Sequence, residues 1–264
     1  MTKASSNKLT FIALILLGVV AVVCLMLGRW QLDRAEERRQ IAATLDAGRR
    51  AEPLALTPNI TEEELKAWRP ATVNGLWRSE WSVLLDNRNL EGRPGLWLAT
   101  PLILDQDTAV LVLRGWIERP IANRPVAKIP TPDANVHLQG ELALRVPRLF
   151  ELWTSQANAA ASLPEGWRGI SQPTEGVIDP VLLPRLQNLD LEVYAKRTGL
   201  NFLPTVLMQQ SGENNEGLKR VWPEPSVDSD KNVGYAMQWF GFAGIVMVAF
   251  VVVGWRRLRS RQSP

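Results

Sequence analysis

Histidine and cysteine, which often act as catalytic groups and metal ligands, are nearly absent from this chain. There is one histidine, His137, and one cysteine, Cys24. A zinc or copper site that needs two or more histidine or cysteine ligands is therefore excluded, and so is an internal disulfide. A Ser-His-Asp triad would have to use His137, which lies in a predicted strand without a nucleophile motif such as G-x-S-x-G nearby.

Carboxylate pairs and glycine-rich loops give no stronger sign of catalysis. Asp105 and Asp107 fall in a predicted hairpin turn, where solvated carboxylates are ordinary turn residues. The sequence shows no glycine loop of the phosphate-binding kind. A net charge of +3 over 264 residues gives no nucleic-acid footprint. We therefore expect a protein that is not an enzyme, with no catalytic residue, no metal site and no nucleic-acid partner.

Two apolar segments organise the chain, and the second is the clearer one. Residues 235–255 contain no charged side chain and are rich in Val, Ala, Phe and Gly. A helix of about 20 apolar residues crosses a hydrocarbon core of about 30 Å. Aromatic residues stand at both ends of the segment, as they do at membrane interfaces. Clustered arginines directly beyond it place its C-terminal end in the cytoplasm: Arg256, Arg257, Arg259 and Arg261.

The first apolar segment, residues 9–28, is predicted to be an uncleaved span with its N-terminal end in the cytoplasm. A cleaved signal peptide is the alternative, but the segment lacks a small-x-small cleavage motif. Lys3 and Lys8 support this orientation. The arginines between residues 29 and 39 favour the opposite one, and we give the C-terminal arginines more weight. The cytoplasmic tails are then residues 1–8 and 256–264.

The cell membrane of a bacterium is the expected location of this multi-pass protein. The chain begins directly with a span and shows no Arg/Ser-rich transit peptide of the mitochondrial kind. We therefore expect the bacterial inner membrane, with both termini in the cytoplasm.

Residues 29–234, between the two spans, are predicted to form one extracytoplasmic domain rich in β-structure. Charged residues at three- and four-residue spacing predict that the first helix continues through residues 28–50. A linker that contains proline follows over residues 51–58. A capping box formed by Thr61 and Glu64 predicts a short helix over residues 61–68.

The remaining elements of this domain follow from strand and turn patterns. Runs rich in Val, Leu and Trp predict strands at residues 72–77, 81–85, 96–100, 110–113, 136–144 and 203–210. A turn is predicted over residues 87–95, an exposed loop over 158–172, and a helix over 179–189 that Asp179 caps. The predicted fold is a membrane α+β protein, in which two transmembrane helices flank a mostly antiparallel β domain, a small barrel or a sandwich.

Four local motifs stand out on this framework. GRWQLDR (28–34) leaves the first span, and NR (87–88) followed by GRPG (92–95) leads into a strand. RGW (114–116) ends another strand, and GYAMQWF (234–240) opens the second span. In this order and on this topology, the motifs resemble the Surfeit locus protein 1 family, the cytochrome c oxidase assembly proteins. The resemblance covers nearly the whole chain.

The motif residues are our candidates for contact with a partner, and each has a structural alternative. Arg29 and Trp30 are suited to anchor a helix end at the membrane interface. Gln31 and Arg34 face either a partner or a lipid phosphate. The candidates are Arg29, Trp30, Gln31, Arg34, Asn87, Arg88, Arg114, Gly115, Trp116, Tyr235 and Trp239.

Two groups of candidates differ in the role that we expect for them. For Arg114 and Trp116 we place structural roles first, with Gly115 at a bulge or a close backbone approach and a cation–π contact joining the other two. Tyr235 and Trp239 lie one helical turn apart, so they share a face. That face is either a lipid-interface belt or a docking surface, and the sequence leaves both open.

The resemblance implies a role in building the oxidase subunit that carries haem a, with haem a as a transient cofactor. In some bacterial members a histidine just ahead of the second span is thought to bind haem a. In this sequence Asn232 occupies that position, and an amide is not a useful axial ligand for haem iron. Tyr235 and Met237 are the nearby alternatives. Histidine-ligated haem is therefore not expected at this position.

The function that we expect is that of a non-catalytic membrane assembly factor for cytochrome c oxidase, which supports haem a insertion into the catalytic subunit. Its expected partners are the membrane, the oxidase subunit that carries haem a, and haem-delivery proteins. The alternative is a membrane-anchored ligand-binding or sensory module whose β domain carries a pocket. A soluble enzyme is the least favoured reading.

Overall fold

The computed structural model describes residues 3–119, 127–132, 134–148, 163–164, 166–170, 176–211 and 216–262. The chain divides into two compact units. One unit, the helix pair, comprises residues 1–43 and 224–264, and the other, the barrel unit, comprises residues 44–223.

The described residues form three α-helices and ten β-strands. The helices are α1 (Lys3–Arg50), α2 (Leu191–Thr198) and α3 (Asp230–Gln262). The strands are β1 (Leu54–Ala55), β2 (Pro70–Trp77), β3 (Val83–Leu90), β4 (Arg93–Ile103), β5 (Thr108–Glu118), β6 (Ile129–Pro130), β7 (Val136–Ala143), β8 (Val177–Ile178), β9 (Arg185–Leu186) and β10 (Asn201–Gln209). Short 3-10 helices lie at Glu62–Glu64, Ser79–Trp81 and Pro180–Leu182.

The helix pair contains α1 up to residue 43 and the whole of α3, and both helices are long and apolar enough to cross a membrane. Their most apolar stretches are largely exposed, which suits contact with lipid rather than burial in a protein core. Small side chains repeat along one buried side of each helix: Ala21, Cys24, Gly28 and Ala35 on α1, and Ala236 and Ala243 on α3. The pattern is the one that membrane helices use where they pack together.

The barrel unit closes because β2 pairs with both β7 and β4. The sheet runs β1-β2-β7-β10-β5-β4-β3-β9, and β2 also pairs with β4. Strands β2, β7, β10, β5 and β4 thereby form a closed five-stranded ring. Pairing around this ring is antiparallel except between β10 and β5, which run parallel. Of the two predicted alternatives, the barrel is therefore confirmed.

Three clusters of buried apolar residues hold the barrel unit together, and two of them show how one sheet supplies different layers. One cluster includes Val73, Leu102 and Val112, from strands β2, β4 and β5. A second cluster contains other side chains of the same sheet, such as Trp97 on β4, together with Tyr194 on α2. The alternation of side chains along each strand supplies both layers from one sheet.

Several boundaries differ from the sequence-based predictions. The turn predicted over 87–95 is present but much shorter, because β3 continues to Leu90 and β4 begins at Arg93. Only Glu91 and Gly92 form the turn, both with positive φ. The chain accommodates Asn87, whose φ is 58°, in a bulge of β3 instead.

The two predicted short helices are also shorter than expected. Thr61 and Glu64 do form a capping box, but the 3-10 helix ends at Glu64 and the chain does not continue as a helix to residue 68. Asp179 accepts a hydrogen bond from the Val181 N–H at 3.0 Å, as an N-cap should. The helix predicted over residues 179–189 is nevertheless only a 3-10 helix at Pro180–Leu182, because Pro184 disfavours the helical conformation of the residue before it.

One helix was missed, and one predicted loop lies mostly outside the described residues. Asp190 caps α2 by accepting from the Glu192 and Val193 N–H groups, and Gly199 ends it with φ at 74°. Both signals were present in the sequence. Most of the predicted loop over residues 158–172 lies outside the described residues.

Candidate functional site

The barrel motifs meet at the side chain of Trp116. Its Nε1 donates a hydrogen bond to the Arg88 carbonyl at 2.7 Å. Its ring lies over Gly95, where a Cβ atom would be 2.1 Å from Nε1. Only glycine leaves room for the ring at that position. The NR, GRPG and RGW motifs on β3, β4 and β5 therefore share one buried contact.

The Arg88 guanidinium is enclosed by the barrel unit's own atoms. It donates to the carbonyls of Pro147 at 3.0 Å and Gln187 at 3.1 Å, and it lies 4.6 Å from the Trp97 ring centre. Burial lowers the pKa of Arg88 to about 10, so the group remains charged at neutral pH. The preceding residue, Asn87, accepts a hydrogen bond from Arg119 at 3.0 Å. Arg88 therefore fastens two loops to β3.

Arg114 is completely buried at the centre of a polar cluster. Its guanidinium donates to Thr131 Oγ1 at 2.8 Å, to the Pro130 carbonyl at 2.7 Å and to the Glu216 carboxylate at 2.9 Å. Burial lowers the pKa of the Arg114 guanidinium, and the Glu216 carboxylate opposes that shift. Glu216 also forms an ion pair with Arg220, whose Nε donates to the Arg114 carbonyl at 3.2 Å.

The expected cation–π contact between Arg114 and Trp116 is wrong. Arg114 lies 4.5 Å from the ring centre of Trp77, and Lys219 Nζ lies 5.4 Å from that of Trp116. The reason is a bulge in β5, where Leu98 pairs with Gly115 and Ala99 pairs with Leu113, so that Arg114 is the extra residue. An extra residue breaks the alternation of the strand, and Arg114 and Trp116 then point to different sides.

Gly115 allows another part of the chain to approach β5 closely. A Cβ atom on Gly115 would lie 2.8 Å from the Leu218 Cβ. Trp116 and Lys219 exchange backbone hydrogen bonds at 2.7 and 2.9 Å. The bulge and the close approach expected for this glycine are therefore confirmed. Residues 216–222, which we call the connecting segment, precede α3 in the sequence.

The connecting segment is held at its other end as well. Trp222 donates from Nε1 to the Gln209 carbonyl at 3.0 Å, and its ring packs edge-on against Trp97 at 5.2 Å between ring centres. Arg114, Gly115 and Trp116 thus act together with β10 to fasten this segment to the barrel. Sequence reasoning missed Glu216, Arg220 and Trp222, although an acidic and a basic residue four positions apart were visible.

In the helix pair, one part of the first motif faces α3. Asn232 Nδ2 donates to Gln31 Oε1 at 2.7 Å, which links α3 to α1 by their side chains. A Cβ atom on Gly28 would lie 2.6 Å from the Phe240 ring, so only glycine leaves room for that ring. Arg38 donates to the Asp228 carbonyl at 2.7 Å. Gly28, Gln31 and Asn232 therefore serve the pairing of the helices.

The other part of the helix motifs faces away from this pairing. Trp30 is 53% exposed and Tyr235 is 54% exposed. The Arg34 guanidinium lies 6.0 Å from the Trp30 ring centre, and Trp239 packs edge-on against Phe242 at 6.0 Å. Arg29 forms an exposed ion pair with Asp33. Trp30, Arg34 and Tyr235 form what we call the outward set.

The residues at the start of α3 do not fit a site in which the side chain at position 232 ligates the iron of haem a. The Asn232 and Gln31 amides bond to each other, and neither is a useful axial ligand. Met237 is 68% exposed on an apolar helix face. His137 lies in β7, where its Nδ1 is 2.8 Å from Asn74 Oδ1 on β2, so its observed contact is a structural one.

A model of the SURF1 family matches residues 18–244, which is most of the chain. This chain belongs to the SURF1 family. The Surfeit locus protein 1 resemblance of the four motifs is thereby confirmed. SURF1 proteins are associated with cytochrome c oxidase assembly and are generally not enzymes.

Curated proteins with similar sequences carry the same family name. An uncharacterized SURF1-like protein of Mycobacterium bovis is 21% identical over 261 residues, which cover 95% of this chain and 85% of that protein. A SURF1-like protein of Rickettsia bellii is 22% identical over 241 residues, which cover 88% of this chain and 86% of that protein. The similarity thus extends over both units.

Proposed function

We propose that this protein is a non-catalytic assembly factor that supports haem a insertion into the catalytic subunit of cytochrome c oxidase. Family membership supports a role in oxidase assembly, and the two candidate membrane helices support attachment to a membrane. We place it in the inner membrane of a bacterial cell, with both termini in the cytoplasm and the barrel unit outside.

The division of the helix motifs carries this proposal. Gly28, Gln31 and Asn232 are used within the helix pair, whereas Trp30 and Tyr235 remain exposed. Aromatic and arginine side chains are the types most enriched where proteins bind one another. The outward set, together with Trp239, is therefore the surface that we assign to the oxidase subunit or to a haem-delivery protein.

The activity that we assign to this surface is binding of a partner, and not catalysis by a bound cofactor. An aromatic ring at a membrane interface offers an apolar face to a neighbouring helix and a polar edge to headgroups. The Arg34 guanidinium lies beside the Trp30 ring and forms an exposed ion pair with Glu37 at 2.8 Å, a type of pair that contributes little and that a partner can replace. Such a face would hold a membrane subunit in place while its cofactor is inserted, and Asn232 would take no part in ligating iron.

Deletion of the gene, with complementation, tests the proposal. We expect the deletion strain to lose most of its oxidase activity and the haem a that its membranes hold in assembled oxidase. A plasmid copy of the unaltered gene should restore both. Unchanged oxidase activity and unchanged haem a in the deletion strain would refute the proposal, provided that no second SURF1 gene is expressed.

A further inference from the structure

The barrel unit contains a cavity that the proposed function does not use. Its volume is about 500 Å³, within the range of about 300 to 1,000 Å³ that ligand sites occupy. Apolar side chains dominate the described part of its wall. The described lining residues are Ala67, Trp68, Ala143, Leu144, Arg145, Pro147, Met208 and Pro223.

Trp68 in this wall has a strained backbone. Its φ is 65°, a left-handed conformation that bulky residues rarely adopt and that costs on the order of 1 to 3 kcal/mol. Neighbouring backbone atoms lie close to this residue. The Trp68 N–H donates to the Leu142 carbonyl at 2.8 Å, and a Cβ atom on Gly48 would lie 2.2 Å from the Ala67 carbonyl oxygen. Such strain is concentrated at ligand-binding positions in proteins.

Arg145 is the charged member of the described wall. It has no hydrogen bond or ion pair within the described part of the chain. A nearby arginine in the sequence behaves differently, because Arg148 pairs with Asp190 at 2.7 Å. Arg145 therefore places a positive charge, exposed and unpaired within the described residues, at a cavity whose other described walls include Trp68, Leu144 and Met208.

We infer that this cavity binds an amphiphile with one apolar chain and one anionic head, such as a long-chain fatty acid. The carboxylate pairs with Arg145, and the chain lies along Trp68, Leu144 and Met208. The described apolar side chains of the wall disfavour a polar peptide, whose backbone groups would lose hydrogen bonds to water without replacement. Attachment of this protein to a membrane gives the cavity access to lipid-derived molecules. This binding site goes beyond the assembly role proposed above.

Photo-crosslinking of the full-length protein tests the inference. The protein, reconstituted in nanodiscs of phosphatidylcholine, is irradiated with a diazirine-bearing dodecanoic acid, and the adducts are located by mass spectrometry. We expect adducts on peptides that contain Trp68, Leu144 or Met208. The concentration for half-maximal labelling should rise about tenfold in Arg145→Gln, the change expected when one charge-assisted hydrogen bond is lost.

Two controls make the result decisive. Arg148→Gln removes an arginine that is already paired with Asp190, so its labelling should match that of the unaltered protein. The methyl ester of the same probe, which lacks the charge, should label the unaltered protein as weakly as the acid labels Arg145→Gln. Labelling spread over the apolar helices alone, or equal labelling by acid and ester, would overturn the inference. A monoacyl phosphate probe then distinguishes the head: stronger labelling than by the acid would assign a lipid phosphate in place of a carboxylate.

Discussion

Motifs of the SURF1 family lie in both the barrel unit and the helix pair, but their residues make different kinds of contact in the two units. In the barrel unit, Arg88, Arg114 and Trp116 are buried and bonded to the unit's own atoms. In the helix pair, Gln31 is used between the helices, whereas Trp30 remains exposed.

This difference distinguishes motif residues that maintain the fold from motif residues that are available to a partner. The barrel motifs build a bulged strand and fasten the connecting segment, residues 216–222, to it. Their side chains have little surface left to offer a partner. In the helix motifs, Trp30 and Tyr235 are instead half exposed, and Arg34 is held only by exposed contacts to Trp30 and Glu37 on its own helix. Contact with a partner is therefore better sought in the outward set of Trp30, Arg34 and Tyr235 than at the RGW motif.

The largest effect that we expect is a difference in compartment between the barrel unit, outside the cytoplasm, and the C-terminal end of the helix pair, inside it. A reporter that works only outside the cytoplasm should be active when fused after Gln172 and inactive when fused after Pro264. The arginines that follow the second span provide the reason, since positive charge is retained in the cytoplasm. Activity of the Pro264 fusion alone would show that the arginines between residues 29 and 39 set the orientation instead.

Replacement of Arg114 tests the structural role of the barrel motifs. Arg114→Met should lower the free energy of unfolding by about 3 to 5 kcal/mol, because it breaks a buried, hydrogen-bonded ion pair. Urea unfolding of the full-length protein in nanodiscs, followed by near-UV circular dichroism, measures the change. Arg148→Met, which removes an exposed pair, should cost about 1 kcal/mol or less.

An Arg114→Met protein of unchanged stability that fails in oxidase assembly would break the comparison. It would show that a buried barrel motif acts on a partner and not on the fold.

A smaller effect is expected where the two helices are linked. Gln31→Ala and Asn232→Ala should each destabilise the pair, with a coupling energy of about 0.6 kcal/mol, typical of hydrogen bonds between membrane helices. Cys24, the single cysteine of the chain, is buried in this unit. Its alkylation by N-ethylmaleimide across an SDS titration reports helix separation. If the destabilising effects of the two substitutions were strictly additive, the hydrogen bond between Gln31 and Asn232 would be contradicted. Arg34→Ala serves as a control whose effect should add to that of Asn232→Ala without coupling.

Much of the fold was predictable because its signals are local. The two spans rest on hydropathy, and the strands on short apolar runs between turn residues. The extension of α1 to Arg50 follows from charge spacing. Strand ends were less certain, because a bulge can absorb a residue such as Asn87 that otherwise signals a turn.

The arrangement of the candidate site depends on contacts between residues far apart in the sequence. Asn232 was recognised as a departure from the expected histidine, but nothing local indicates that Gln31, 201 positions away, accepts its hydrogen bond. The contact between Arg114 and Trp77 was missed for a similar reason, since the bulge that redirects Arg114 exists only once β4 and β5 are paired.

The central claim is that the outward set, together with the half-buried Trp239, docks a partner, and one comparison of protein and oxidase levels tests it. Tyr235→Ala combined with Trp239→Ala should lower assembled oxidase by about tenfold, the loss expected when docking residues are removed, and leave the level of this protein unchanged. Ile245→Ala, an exposed position further along α3, should change neither. Equal loss of protein and oxidase in the double variant, or no loss of either, would contradict the account.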